Sequence, residues 1–83
     1  MAVKRVSQRD PTPLHEQLAA ILQAAVEAGE YADAGMLPSE STLQQEHGVS
    51  RGTVRRAIKT LEDLGLVYTI TARGTFIGKR PAK

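Results

Sequence analysis

The tripeptide Gly48-Val49-Ser50 constrains the fold of this 83-residue chain most, because it separates two stretches with helical character. Gly48 can take the left-handed conformation that ends a helix, and Val49 can then turn inward. The Ser50 side chain can accept a backbone amide and so begin the next helix. Two helices joined by a short turn containing glycine form a helix-turn-helix. Any corner between two helices can use such a turn, so the tripeptide alone leaves the function open.

The helix after this turn is predicted to run from Arg51 to about Leu64, with Gly65 just past its end. At about 100° per residue, one arc of it is apolar and consists of Val54, Ala57, Ile58, Leu61 and Leu64. The other arc is basic and consists of Arg51, Arg55, Arg56 and Lys59, with Gly52 inside it, where a bare backbone allows close approach to a partner. A helix that packs on one side and is cationic on the other suits the major groove of DNA. A solvated basic face without a ligand is the alternative.

Two further helices precede this one. The helix before the turn is predicted to be capped by Ser39 and to end at His47. The first helix is predicted to begin with an N-cap at Thr12 and a proline, Pro13, at its first position, and to stop at Gly29. Its apolar stripe consists of Leu14, Leu18, Ile21, Leu22, Ala25 and Val26.

The last part of the chain is predicted to form a β-hairpin. Residues 66–71 are rich in β-branched side chains and favour a strand, 72–74 favour a tight turn, and 75–77 favour a return strand. Arg73 therefore projects from the tip of the hairpin. The pair Met36-Leu37 can add a very short strand.

Together these elements predict a mainly α fold with a small β-hairpin. This is a winged helix-turn-helix, with three helices plus a two- or three-stranded wing. We expect it to occupy residues 12–78. A mobile basic arm is predicted over residues 1–11, and a linker or tail over residues 79–83.

Charge is divided sharply along the chain, although the formal net charge is only +2. Residues 1–9 carry three Lys or Arg side chains. Residues 10–50 carry seven carboxylates and no Lys or Arg, and residues 51–83 carry eight cations against two carboxylates. This asymmetry indicates one face built for a polyanion.

Composition argues against several other classes of protein. The chain has no cysteine, which excludes disulfides, thiolate metal sites and thiol nucleophiles. Of its two histidines, His15 is predicted to be solvated surface and His47 an exposed residue in the last turn of its helix. Glu46 does not face His47, because adjacent helix positions diverge. We therefore expect no enzyme, no metal and no other cofactor. No apolar run is long enough to span a membrane, and we expect a cytoplasmic, nucleoid-associated protein.

Short sequence blocks follow one another in a fixed order along residues 12–77. The blocks are Pro13-Leu14-His15-Glu16-Gln17, Leu37-Pro38-Ser39-Glu40, Gly48-Val49-Ser50-Arg51-Gly52-Thr53-Val54-Arg55-Arg56-Ala57, Leu61, Gly65-Leu66-Val67 and Arg73-Gly74-Thr75-Phe76-Ile77. In this order they resemble the N-terminal domain of GntR-family bacterial transcription regulators. The resemblance implies an operator-binding winged helix that works as a homodimer on a short inverted repeat of double-stranded DNA.

The resemblance also implies roles for individual residues. Arg51, Thr53 and Arg55 match recognition-helix residues that contact bases or phosphates. Arg73 and Gly74 match the wing tip, which reaches into the minor groove.

Two departures from the family pattern are visible. Position 41 is Ser41, where the family usually has an arginine that helps to hold the DNA. The C-terminal domain that binds a metabolite in the family is not in this sequence, so we expect an excised DNA-binding domain rather than a short regulator. We expect the isolated chain to be a monomer in free solution and to pair on DNA or through missing residues.

The predicted function is sequence-specific DNA binding as a transcription regulator, acting as a repressor. The residues predicted to bind DNA are Ser39, Ser50, Arg51, Gly52, Thr53, Arg55, Arg56, Lys59, Arg73 and Gly74. Helix 51–64 is expected in the major groove and the wing tip, 72–74, in the minor groove. The alternatives are a winged helix used for protein–protein contact, and DNA binding for plasmid partition or replication control.

Overall fold

The computed structural model describes residues 6–79, which form three helices followed by a two-stranded hairpin. The helices are α1 (Leu14–Glu27), α2 (Glu40–His47) and α3 (Arg51–Asp63). The strands are β1 (Val67–Ile70) and β2 (Gly74–Ile77). The predicted winged helix-turn-helix is confirmed. No helix in this part of the chain is long and apolar enough to cross a membrane.

The helix-turn-helix consists of α2, the turn and α3, and its ends lie where the sequence predicts them. Ser39 and Ser50 are the N-caps, and each side-chain oxygen accepts the amide three residues later at 3.1 Å. Gly48 has a φ of 64° and ends α2 in the left-handed region. Val49 turns inward and is buried. The angle between α2 and α3 is thus set by the Gly48 turn and the Ser50 cap, while the Ser39 cap fixes where α2 begins.

The start of α1 corrects the prediction by one residue. Its N-cap is Pro13, with a ψ of 141°, and no side chain caps the helix. Thr12 precedes a proline, which disfavours helical backbone, and its amide donates instead to the Asp10 carboxylate at 2.8 Å. The Gln17 amide group donates to the Thr12 carbonyl at 2.8 Å, which fixes the entry to the helix from the first turn.

The core lies between α1 and α3, with α2 and β1 closing its sides. Its largest fully buried side chains are Leu18, Leu22, Leu43, Val54 and Leu61. The predicted apolar arc of α3 is buried except for Leu64, which is 55% exposed. The helix ends at Asp63 and Leu64 is only its C-cap, so this side chain lies beyond the turn that packs on α1.

The wing is an antiparallel pair in which Tyr68 faces Phe76. Their rings stack with centroids 5.6 Å apart. The connector before α2 lies along the other edge of β2. There the Leu37 amide donates to the Thr75 carbonyl at 2.9 Å, and Met36 forms a β-bridge with Phe76. The short third strand expected at Met36-Leu37 is thus a single bridge, which ties the wing to the start of α2.

The segment before α1 corrects the prediction for His47. This side chain is buried, only 7% exposed, and its Nδ1 accepts the Val6 amide at 3.4 Å. Val6 packs against the core. Ser7 is held by Gln17, which accepts the Ser7 amide at 2.7 Å and donates to its carbonyl at 3.0 Å. Residues 6 and 7 of the predicted arm therefore contact the domain. Residues 1–5 and 80–83 of the predicted arm and tail lie outside the described residues.

Candidate nucleic-acid interface

One side of α3 is anchored in the core and the other is cationic. Val54, Ala57 and Leu61 are 0% exposed, so the helix cannot rotate about its axis without opening the core. The opposite side is exposed and carries all five residues predicted for it, which are Arg51, Gly52, Arg55, Arg56 and Lys59. A buried stripe that fixes a basic face is the arrangement a recognition helix needs, because the orientation of its side chains is set before any ligand binds.

The caps of α2 and α3 engage side chains that were predicted to bind DNA. Besides accepting the Thr53 amide, the Ser50 hydroxyl donates to Thr53 Oγ1 at 3.1 Å. Ser39 and Thr42 repeat the same arrangement at 2.9 Å. In this structure the Ser39, Ser50 and Thr53 hydroxyls are thus used in capping. Ser39 and Ser50 thus stabilise the N-termini of α2 and α3, where backbone amides are available to an anion.

A groove runs between the start of α2, the middle of α3 and the wing. It brings together four of the predicted residues, namely Ser39, Arg55, Arg73 and Gly74. The predicted residues outside it are on α3 or at its cap, namely Ser50, Arg51, Gly52, Thr53, Arg56 and Lys59. Sequence reasoning missed Glu40 and Thr71, which also line the groove. Their places in the groove depend on the packing of separate elements, which no local pattern signals.

Two of the cations on α3 are paired with carboxylates. Arg55 Nε lies 3.1 Å from Glu40 Oε2, so this pair joins α3 to α2. Lys59 Nζ lies 2.8 Å from Asp63 Oδ1 one turn further along the same helix. The Asp63 carboxylate, by hydrogen bond and charge, raises the pKa of Lys59, which stays protonated.

The other two arginines of α3 and the arginine at the tip of the wing are available to a ligand. Arg51, Arg56 and Arg73 are exposed, and none forms an ion pair with any residue from 6 to 79. The surface formed by α3 and the wing tip therefore presents three positive charges that no carboxylate among residues 6–79 neutralises. Such a surface attracts a polyanion.

The tip of the wing has an unusual backbone. The Arg73 amide closes the turn by donating to the Ile70 carbonyl at 3.0 Å. Ala72 lies between them with a φ of 67°, in the left-handed region that alanine rarely adopts. Gly74 follows with a φ of 124°, and a Cβ built there would stand 2.6 Å from Met36 Cε. The positive φ favours glycine at position 74, and any larger residue there would also displace the end of the Met36 side chain. The backbone at Ala72 and Gly74 therefore fixes where Arg73 is presented.

No group of histidine and carboxylate side chains within residues 6–79 is arranged to hold a metal ion.

The chain matches the bacterial regulatory proteins of the gntR family over residues 14–77. It belongs to the GntR family. The matched range includes the three helices and both strands, so the GntR match and the fold describe the same unit. The family resemblance noted in the sequence is confirmed, and the matched range is a winged helix-turn-helix of this family.

Two curated GntR-family relatives illustrate how much of the chain is shared. The transcriptional repressor NagR of Bacillus subtilis (strain 168) is 35% identical over 74 residues, which cover 89% of this chain and 30% of NagR. The mannosyl-D-glycerate transport/metabolism system repressor MngR of Escherichia coli (strain K12) is 38% identical over 65 residues, which cover 78% of this chain and 27% of MngR. The chain thus spans less than a third of the length of these relatives.

A solved structure with a similar fold contains DNA. The crystal structure of AraR(DBD) in complex with operator ORX1 superposes with a TM-score of 0.76 at 28% identity. The superposition covers 94% of this chain and 99% of the AraR chain. In this GntR domain position 41, where the resemblance leads one to expect arginine, is an exposed serine lining the groove.

Proposed function

We propose that this GntR domain reads a specific sequence in double-stranded DNA, with α3 in the major groove and the tip of the wing in the adjacent minor groove. The observation that carries the proposal is the exposed basic side of α3, whose opposite side is locked in the core at 0% exposure. A major groove about 12 Å wide admits one α-helix. The likeness to a domain solved with its operator supports this placement.

Affinity and specificity come from different groups in this proposal. Arg51, Arg56 and Lys59 neutralise phosphates and release counterions, which gives strong, salt-dependent binding to any sequence. Arg55 reads a guanine through bidentate hydrogen bonds to O6 and N7. Thr53 Oγ1 accepts from the Ser50 hydroxyl and keeps its own O–H to donate to a phosphate, while its methyl group contacts a thymine methyl.

The wing adds a second contact on the same duplex. Arg73 projects at the turn between the strands and enters the minor groove, where arginine responds to groove width more than to base identity. Ser39 and Ser50 hold the N-termini of α2 and α3, whose free amides bind phosphates. Gly52 leaves room for the DNA backbone to approach α3.

We further propose that two copies bind one inverted repeat and that this cytoplasmic GntR-family protein represses transcription. The two curated relatives named above are both called repressors. A symmetric DNA site matches a pair of identical domains, because half-site spacing follows the two-fold symmetry of the protein. We expect the isolated domain to pair only on DNA.

The experiment compares Arg55→Ala with Arg56→Ala, two variants that lose the same charge from the same helix. Each is titrated with a duplex selected by the wild-type domain and with random duplexes, at two salt concentrations. We expect Arg55→Ala to lose about 5- to 150-fold on the selected duplex and far less on random DNA, because one base contact contributes about 1–3 kcal/mol. Arg56→Ala should weaken both equally and reduce the salt slope by about 1. Equal losses on both kinds of duplex for Arg55→Ala would contradict its role as a base reader.

A further inference from the structure

We propose that Glu40 is a positioning residue for base recognition by Arg55. It holds the arginine in the orientation that reads a base and keeps it off the phosphate backbone. This inference deepens the proposed function and rests on it. It assigns a role in specificity to a carboxylate that lines the groove together with Arg55 and Arg73.

The geometry of the ion pair is the first reason. Glu40 Oε2 accepts from Arg55 Nε at 3.1 Å, on the side of the guanidinium next to the aliphatic chain. The two terminal NH₂ groups, which a bidentate contact with guanine O6 and N7 uses, have no hydrogen-bond partner within residues 6–79. One carboxylate thus restrains the rotation of the guanidinium and leaves its reading edge free.

The position of Glu40 in the fold is the second reason. It is the first residue of α2, directly after the Ser39 cap, so its Cα is fixed by the helix and its carboxylate lies where the helix dipole favours negative charge. Its side chain is 38% exposed, against 63% for Arg55. The more buried partner therefore belongs to α2, and the more exposed partner is the side chain on α3.

Charge is the third reason. Glu40 and Arg55 both line the groove that also holds Arg73. A carboxylate there repels phosphates, so it lowers the affinity for DNA of any sequence. It favours the one arrangement in which Arg55 points away from phosphate and toward a base edge. Specificity then rises because the wrong complexes are weakened more than the right one.

The Lys59–Asp63 pair provides a matched control. It is also an exposed pair of one cation and one carboxylate on α3, at 2.8 Å, but both partners belong to the same helix and neither lines the groove. Removing Asp63 changes the net charge as much as removing Glu40 does. It leaves the Arg55 side chain untouched.

The experiment uses Glu40→Ala, Glu40→Gln, Asp63→Ala, Arg55→Ala and the Glu40→Ala/Arg55→Ala double variant. Each is titrated with a duplex selected by the wild-type domain, with every single-base-pair change of that duplex, and with random DNA. Chemical denaturation shows that each variant folds. Glu40→Gln keeps an acceptor for Arg55 Nε without the charge, which separates orientation from repulsion and stands in if Glu40→Ala folds poorly.

We expect Glu40→Ala to bind random DNA at least as tightly as the wild type. It should lose about tenfold in discrimination at the same base pair where Arg55→Ala loses it, corresponding to about 1.4 kcal/mol. Glu40→Gln should retain part of this discrimination, and Asp63→Ala all of it. The double variant should discriminate no worse than Arg55→Ala, because Glu40 acts through Arg55.

Two results would overturn the inference. If Arg55→Ala loses base preference and Glu40→Ala keeps it, Arg55 reads its base without help and only the proposed function stands. If Glu40→Ala weakens all duplexes equally, the pair merely joins α2 to α3. A wild-type domain without any base preference would instead overturn the proposed function, and the inference with it.

Discussion

Replacing Gly52 by alanine is expected to stabilise the domain while weakening its binding to DNA. Gly52 is the second residue of α3 and is exposed, and a Cβ there would meet only Ser50 Oγ at 3.8 Å, an ordinary contact. Glycine in a helix costs up to about 1 kcal/mol relative to alanine, and less near an end. We therefore expect the free energy of unfolding to rise by about 0.5 kcal/mol, which in a domain of this size raises Tm by roughly 2–4 °C.

Binding should change in the opposite direction, because the new methyl group occupies the space where the DNA backbone approaches. We expect a loss of about tenfold for Gly52→Ala, about 1.4 kcal/mol, and a larger one for Gly52→Leu. Thr60→Ala is the control, since it exchanges an exposed residue near the other end of α3 for a better helix former. The assays are thermal unfolding and titration with a selected duplex. Unchanged binding by Gly52→Leu would refute the close approach at Gly52.

Three further predictions concern the caps, the wing and pH. Ser39→Ala and Ser50→Ala should each lower the free energy of unfolding by about 1 kcal/mol in denaturant titrations, because each removes a cap hydrogen bond of the same length. A loss of stability in only one of the two variants would contradict the equivalence of these caps. Gly74→Ala should lower the free energy of unfolding by about 1–3 kcal/mol, because alanine is strained at this positive φ. Adding Met36→Ala should restore only the part of that loss that comes from the 2.6 Å approach of Met36 Cε. Full recovery would mean that the backbone is not strained. Burial, then nearby carboxylates, raises the pKa of Tyr31 above its ordinary 10.0. The stability that depends on the protonated hydroxyl is therefore complete below pH 10 and lost as the pH rises through the folded pKa. Denaturant titrations at rising pH should show a steeper decline in the wild type than in Tyr31→Phe, in which the contribution of the Lys59–Asp63 pair still falls.

The features predicted correctly from the sequence are those fixed by neighbouring residues. The caps at Ser39 and Ser50 and the left-handed Gly48 each depend on backbone geometry within about four positions. The two faces of α3 follow from helical periodicity, which places Val54 inside and Arg55 outside. Because the Gly48 turn joins α2 to α3 and helical periodicity sets which side of α3 is buried, the sequence sufficed to predict the exposed basic side of this helix.

The features that the sequence did not predict depend on contacts between distant segments. His47 is buried because Val6, 41 residues earlier, packs beside it and donates its amide to Nδ1. Glu40 meets Arg55 across 15 residues, through the packing of α2 on α3. Gly74 approaches Met36 because the connector pairs with β2. Neither periodicity nor capping rules contain this information, since each contact requires the tertiary arrangement first.

Selection from a pool of random duplexes at two salt concentrations tests the central claim most directly. The domain is incubated with the pool, bound duplexes are recovered and sequenced, and the affinity of the enriched sequences is measured at both salts. If two copies of the domain read DNA through α3 and the wing, a short inverted repeat should be enriched. The affinity for the enriched sequences should fall steeply as the salt concentration rises. Salt-dependent retention of all sequences alike would contradict base reading by α3, and no retention at all would contradict DNA binding by this face.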